Sequence, residues 1–322
     1  SRCMEAAPWG EIWVEEQVAR AHPPFELEWV GYLQFKGFGD ELPVFRLSRR
    51  QTPDTAHFEG HLIGREREIG QLVQNLQPIF EGLYAGVTVI QGETGIGKSR
   101  LVYSAQQRLP DCRFLMFQCD QTQSFAPIRS FLRQFFQQTT DSPTNQTRFM
   151  ARLRRVLDVS DASLQSELSL TYSCLGALIG LFWPGSHYEQ LDPAGRFQNT
   201  LRGLKALLKA ESLRQPVVIF LEDAQWLDPD SRLFFEYLAR NIETFPIGIV
   251  ATTRNGGHPF DAGQLQTIAL SPLTPPGLRQ LVEETLRQPA APALIEFLYA
   301  RAEGNPFFAE QILLYLQEND WL

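Results

Sequence analysis

The apolar run Val87-Thr88-Val89-Ile90, followed at once by QGETGIGKSR at residues 91–100, constrains this chain more than any other stretch. A stiff strand hands over to three glycines and then to Lys98-Ser99. Gly92, Gly97, Lys98 and Ser99 stand at the spacing G-x-x-x-x-G-K-S. Glycines let successive backbone N–H groups turn inward and form a concave anion nest. A helix beginning at Lys98 aims its positive dipole end at the same point. The expected ligand is a nucleoside triphosphate, cradled by Gly92, Glu93, Thr94, Gly95, Ile96, Gly97, Lys98, Ser99 and Arg100. Lys98 would reach the β- and γ-phosphates, and Ser99 would ligate Mg²⁺.

A phosphate loop needs an acidic partner. PVVIFLED, residues 216–223, supplies one, because five apolar residues end in Glu222-Asp223. Ligands of open α/β sheets bind beyond the carboxyl ends of the strands, where this pair would lie. One carboxylate would hold the metal and the other would orient or deprotonate an attacking water. Glu222 is assigned to the metal and Asp223 to the water, with the reverse open on the residues alone. ATTR, 251–254, ends another apolar run, and Arg254 could sense the γ-phosphate from that edge or simply begin a surface loop.

Helical spacing at Ile69, Leu72, Val73 and Leu76 opens a stretch that runs from residue 62 onward. Near-continuous apolar runs at 87–90, 112–119, 216–223, 247–254 and 266–270, separated by helical patterns, predict a parallel sheet buried on both faces. Everything after Thr274-Pro275-Pro276 reads as helix. The expected organisation is an N-terminal β segment over 1–47, a polar linker over 48–61, an α/β core over 62–270 and a helical lid over 271–322. Within the first segment, GEIWV and LPVFRL carry strand-like spacing.

The net charge of -8 argues against a general nucleic-acid grip and a DNA motor, which need clustered cations. Arg148, Arg152, Arg154 and Arg155 do cluster, and their spacing reads as a solvated helix face. Cys3, Cys112, Cys119 and Cys174 form no CxxC pair and have no histidine at metal-ligand spacing, so reduced thiols and a cytoplasmic setting are expected. The longest apolar stretch, 175–183, is too short to span a bilayer, so no membrane partner is expected. The two ends read as those of a fragment of something longer.

Taken together, these motifs resemble the STAND class of signal-transduction NTPases, a branch of the AAA+ ATPases, over residues 62–322. LIGREREI, 62–69, is similar to the family segment that lies along the adenine, which implies that Ile63, Gly64 and Arg65 sit near base and ribose. LEDAQWLDPDS, 221–231, resembles the family's Walker B stretch, with Gln225-Trp226-Leu227-Asp228 where His-Trp-Ala-Asp is usual. EGNPFFAEQIL, 303–313, resembles the lid motif that brings Gly304, Asn305 and Pro306 to the nucleotide. The resemblance implies a P-loop NTPase fold: a three-layer α/β parallel sheet with a C-terminal helical lid. It also implies ATP and Mg²⁺ as cofactors, ATP in preference to GTP. An arginine often completes such sites, and Arg196 and Arg202 are candidates for one supplied within the chain.

SRCMEAAPWGEIWVEEQV with LQFKGFGDELPVFRL resembles the tail of a class III nucleotide cyclase, in which Arg2 matches a transition-state arginine. The cyclase metal-binding aspartates have no counterpart in this stretch, so cyclisation is not expected of it. The reading is an ATP-binding, slowly hydrolysing regulatory switch controlling an attached cyclase or downstream signalling domains, with oligomerisation on ATP binding possible in the family. The alternative is a scaffold that holds ATP structurally and recruits partners without turnover.

Overall fold

The computed structural model describes residues 12–16, 18, 25–34, 42–50, 62–139, 144–257, 259–260, 265–319 and 321. The chain divides into two compact units, 1–61 and 62–322. In the first, β1 (Trp13–Glu15), β2 (Phe25–Leu33) and β3 (Leu42–Arg50) form an antiparallel sheet in the order β1-β3-β2. Val44 is fully buried, and Trp29 meets Tyr32 and Phe45 edge to face at 5.1 Å. β3 runs through Arg50, pairing Phe25 with Arg50, so 48–50 are strand rather than the start of a linker. Ladder pairing there outweighs the polar composition. Residues 51–61, Arg2 and Cys3 lie outside the described residues.

The second unit is a parallel sheet between helices. Its strands are β4 (Val87–Gln91), β5 (Arg113–Gln118), β6 (Val217–Glu222), β7 (Ile247–Thr253) and β8 (Leu265–Ala269), in the order β5-β6-β7-β4-β8. All four neighbouring pairs are parallel. The inner strands β4, β6 and β7 are apolar on both faces because both are covered, whereas the edge strand β8 leaves Gln266, Thr267 and Ala269 exposed. Val217, Ile219 and Leu221 join one buried cluster, and Val218 and Phe220 join the other. α1 (Glu66–Leu76) and α2 (Lys98–Arg108) cover the second of these faces. α3 (Ala126–Phe135), α4 (Asn145–Leu157), α5 (Ala162–Leu178), α6 (Pro193–Arg214) and α7 (Pro229–Leu238) cover the first. Each fully buried Leu, Ile, Val or Phe of these layers contributes about 1.5–3 kcal/mol relative to exposure.

Helix starts follow local chemistry. Asp161, Asp192 and Asp228 cap α5, α6 and α7, each accepting the backbone N–H of the third helical residue. α6 and α7 also open on proline at the first helical position, where the missing N–H costs nothing.

The lid comprises α8 (Pro275–Leu286), α9 (Pro292–Ala302) and α10 (Pro306–Glu318), which share a small core of Leu278, Val282, Leu298 and Leu313. The basic run of α4 is not a uniformly solvated face, since Arg152 pairs with the buried Glu211 of α6. It flanks the stripe of Phe149, Leu153 and Val156 that packs into the core. Cys112, Cys119 and Cys174 are buried free thiols, and burial raises all three above the ordinary thiol range. Among the described residues no helix is long and apolar enough to cross a membrane.

Candidate functional site

β4 delivers the glycine loop to the carboxyl edge of the sheet, and α2 carries it away. Gly97 is the N-cap of α2 at φ 100°, with no side chain capping it, and Gly95 sits at φ 80°. Both angles belong to the left-handed region that side-chain-bearing residues avoid. A Cβ on Gly92 would stand 2.8 Å from Ile96 Cγ2 and 3.1 Å from the Leu270 carbonyl, so that position is glycine for want of room. Ile96 is buried and anchors the loop beneath. The first-turn N–H groups of α2 have no acceptor within the helix, which leaves them available to an anion.

Lys98 Nζ donates to the carbonyls of Gly92 at 2.9 Å and Glu93 at 2.8 Å, which holds the ammonium over the loop. Burial lowers its pKa from the ordinary lysine value; the Asp223 charge opposes that fall and Arg254 adds to it. Ser99 Oγ donates to Glu222 Oε1 at 2.8 Å. That bond joins the first turn of α2 to the end of β6, two strands away in the sheet. The two motifs predicted to meet do meet.

Asp223 follows in the left-handed region at φ 53°. Its backbone N–H donates to Thr252 Oγ1 at 2.9 Å, and Thr252 is fully buried at the end of β7. Gln225 Nε2 donates to Asp223 Oδ1 at 3.1 Å. Arg254, just past β7, is exposed with its guanidinium 5.8 Å from the Trp226 ring centroid. Thr252 was not singled out from the sequence, and Gln225 entered only as the residue standing where the family's histidine is usual. The available signal for Thr252 was a polar residue closing an otherwise apolar strand beside the acidic one.

The lid reaches the loop through α10. Asn305 Nδ2 donates to the Thr94 carbonyl at 2.9 Å, while its Oδ1 caps the helix by accepting from Phe307 N–H at 3.1 Å. Phe307 N–H also lies 3.4 Å from the Gly95 carbonyl. Pro306, the first residue of α10, is held next to these contacts. A Cβ on Gly95 would meet Phe307 Cβ at 2.8 Å, so the glycine also makes room for the lid. Arg100 points to the lid, 3.6 Å from Glu310.

Ile63, Gly64 and Arg65 lie at the seam between core and lid. Ile63 packs into the lid's core, Gly64 takes φ 66°, and buried Arg65 donates to the Ser271 carbonyl and pairs with Glu68. Leu273 N–H donates to the Gly304 carbonyl at 2.8 Å, closing the same seam. Arg196 and Arg202 are engaged elsewhere. Arg196 donates to the Tyr188 carbonyl and stacks on that ring, and Arg202 pairs with Glu167.

The donor set suits a polyphosphate with a hard divalent cation. It offers a glycine cradle at a helix start, an ammonium over it, and a hydroxyl beside a carboxylate. No group of three or more His, Cys, Asp or Glu side chains exists among the described residues that could hold a metal by itself. One or two protein oxygens suffice where a phosphate supplies the rest.

Over 305 residues, 90% of this chain, the sequence is 27% identical to an uncharacterized protein of Rhizobium meliloti (strain 1021), and it spans 29% of that relative's length. Among solved structures it is similar to a STAND protein with a tetratricopeptide repeat sensor from Pyrococcus horikoshii. That likeness is at TM-score 0.42 and 16% identity, covering 76% of this chain and 28% of that one. It is similar too to the Aeropyrum pernix ORC1 protein in complex with DNA, at TM-score 0.44 and 16% identity over 77% of this chain and 58% of that one. A Thermotoga maritima RuvB variant matches at TM-score 0.42 and 13% identity, covering 80% of this chain and 62% of that one. The family model described as AAA ATPase domain matches residues 61–250, more than half of the sequence, and the chain belongs to that family.

Proposed function

We propose that this chain is an ATP-binding, slowly hydrolysing switch module of the STAND type. One observation carries the reading: the Ser99–Glu222 hydrogen bond brings the phosphate loop and the acidic strand end into one site. Lys98 binds the β- and γ-phosphates, and the loop amides receive the remaining oxygens. Mg²⁺, held by Ser99 and Glu222, would neutralise phosphate charge. Asp223 orients the attacking water and takes its proton, while Arg254 faces the γ-phosphate. α10 rests on Thr94 and Gly95, so nucleotide and lid act on the same loop.

A second reading, a scaffold that keeps its ATP, is favoured by one contact. Gln225 occupies an oxygen of Asp223, the group assigned to the water. The two readings separate in a single-turnover assay with Mg²⁺, where a switch consumes bound ATP and a scaffold does not. The binding assignment itself is tested by ATP titration of wild type and Lys98→Ala. Loss of a desolvated charge-assisted contact is expected to weaken binding about 10²-fold. Equal affinities would overturn it.

In the longer protein implied by the relative's length, the switch would act on other domains of the same polypeptide, cytoplasmic and without membrane or nucleic-acid partners. A cyclase identity for the first unit rests on its sequence resemblance. ADP release and oligomerisation on ATP binding belong to the same proposal.

A further inference from the structure

Part of the basic cluster that the nucleotide site does not use converges at another edge of the sheet. Arg113 opens β5, the edge strand, at its amino end. Arg152 comes from α4 and Arg214 from the last turn of α6. All three guanidiniums surround Glu211. Arg113 Nη1 donates to Oε2, Arg214 Nη1 lies 3.3 Å from Oε1, and Arg152 Nη2 lies 3.7 Å from Oε2. The Glu211 side chain is 1% exposed, whereas Arg113, Arg152 and Arg214 keep 38%, 22% and 36% of their side chains in solvent. The Arg152 and Arg113 guanidiniums also sit 4.7 and 5.7 Å from the centre of the Phe135 ring.

One carboxylate facing three guanidiniums leaves two positive charges in excess. Arg155, one helical turn after Arg152, adds repulsion, and Arg152 Nε is buried without an acceptor among the described residues. A structural ion pair needs one guanidinium; gathering three costs like-charge repulsion that Glu211 only partly offsets. Phe135 and Glu211 hold the forks in place from below, so little side-chain entropy remains to be lost on binding. Guanidinium forks match the oxygens of a phosphate group.

We propose that Arg113, Arg152 and Arg214 form an oxyanion site for a phosphate monoester, separate from the glycine loop. It lies at the opposite end of the strands, roughly 17 Å along β5 from the carboxyl edge at ~3.3 Å per residue. The group could arrive on a small metabolite or on a phosphorylated side chain; the chemistry recognised is the same.

The test is thermal denaturation against inorganic phosphate, with chloride matching the ionic strength, in a Lys98→Ala background that weakens the loop site. Phosphate should raise the melting temperature where chloride does not. Arg214→Gln and Arg113→Gln, at partly exposed positions, should each weaken phosphate binding by about tenfold. Glu211→Gln should strengthen it, because the competing carboxylate is gone; a purely structural ion pair would give destabilisation and no tighter binding. If Glu211→Gln fails to fold, ³¹P line broadening of phosphate with the Lys98→Ala and Lys98→Ala/Arg214→Gln proteins decides the matter. Identical responses to phosphate and chloride, or a phosphate response unchanged by Arg214→Gln, would overturn the site. Tighter binding of a phosphoserine peptide than of inorganic phosphate supports the site with a side-chain source. Equal or weaker peptide binding supports it with a free-phosphate source.

Discussion

Lys98 keeps a cation where water reaches it poorly, and its lowered pKa has a consequence for binding. Nucleotide affinity is full while the ammonium stays protonated and falls as pH rises through a value below the ordinary lysine range. Lys98→Arg, which stays charged throughout, should flatten that decline in a titration of ATP affinity against pH, whatever it does to the absolute affinity. A decline equally steep in both proteins would assign it to another group. Thr252 presents a different case. It touches no expected ligand, yet it holds the backbone of Asp223 in a left-handed turn that a non-glycine residue adopts at a cost. Thr252→Val keeps the shape and removes the acceptor, at an expected cost of about 1–3 kcal/mol for the orphaned N–H. Single-turnover hydrolysis should slow while ATP affinity holds. A rate unchanged in a destabilised protein would make Thr252 a stability residue only.

At the scale of elements, the buried strands were legible because parallel strands covered on both faces read as unbroken apolar runs, as VVIFL does before Glu222. The start of α2 was legible for the same local reason, as Gly97-Lys98 marks a loop handing over to a helix. Strand order was not. Nothing near β7 in the chain says that it inserts between β4 and β6, and therefore nothing said that Thr252 would reach Asp223. The Glu211 cluster was hidden likewise, since Arg113 lies 98 residues from its partner. Strand pairing at 48–50 was hidden because its partners, Phe25 and Glu26, are distant in the chain. Gly-Asn-Pro at 304–306 stands at a helix boundary, and there Asn305 spends its two polar ends differently, one capping α10 and one binding the phosphate loop. Asn305→Ala should therefore cost about 1–2 kcal/mol as a lost cap. Beyond that, it should free α10 from Thr94. Hydrogen exchange should accelerate in the first turn of α10 and in the loop together. Acceleration in α10 alone would separate the cap from the coupling.

For the molecule as a whole, every residue assigned to the nucleotide lies in the unit 62–322, and none in 1–61. The lid is tied to the core by Arg65 with Ser271, Leu273 with Gly304, Asn305 with Thr94 and Arg100 with Glu310. These ties cross between parts distant in sequence but remain within one unit, so binding energy spent on the loop can order the lid without help from the first sheet. Residues 62–322 expressed alone should accordingly bind ATP within about twofold of the whole chain. Saturation to 100 times Kd should stabilise either form by about 2.7 kcal/mol through linkage. The measurement is a melting curve with and without ATP for both lengths, alongside a direct titration. An affinity loss of tenfold or more in the shorter, folded chain would mean that the first unit shapes the site, and that the two units work as one device rather than as a switch with a separable attachment.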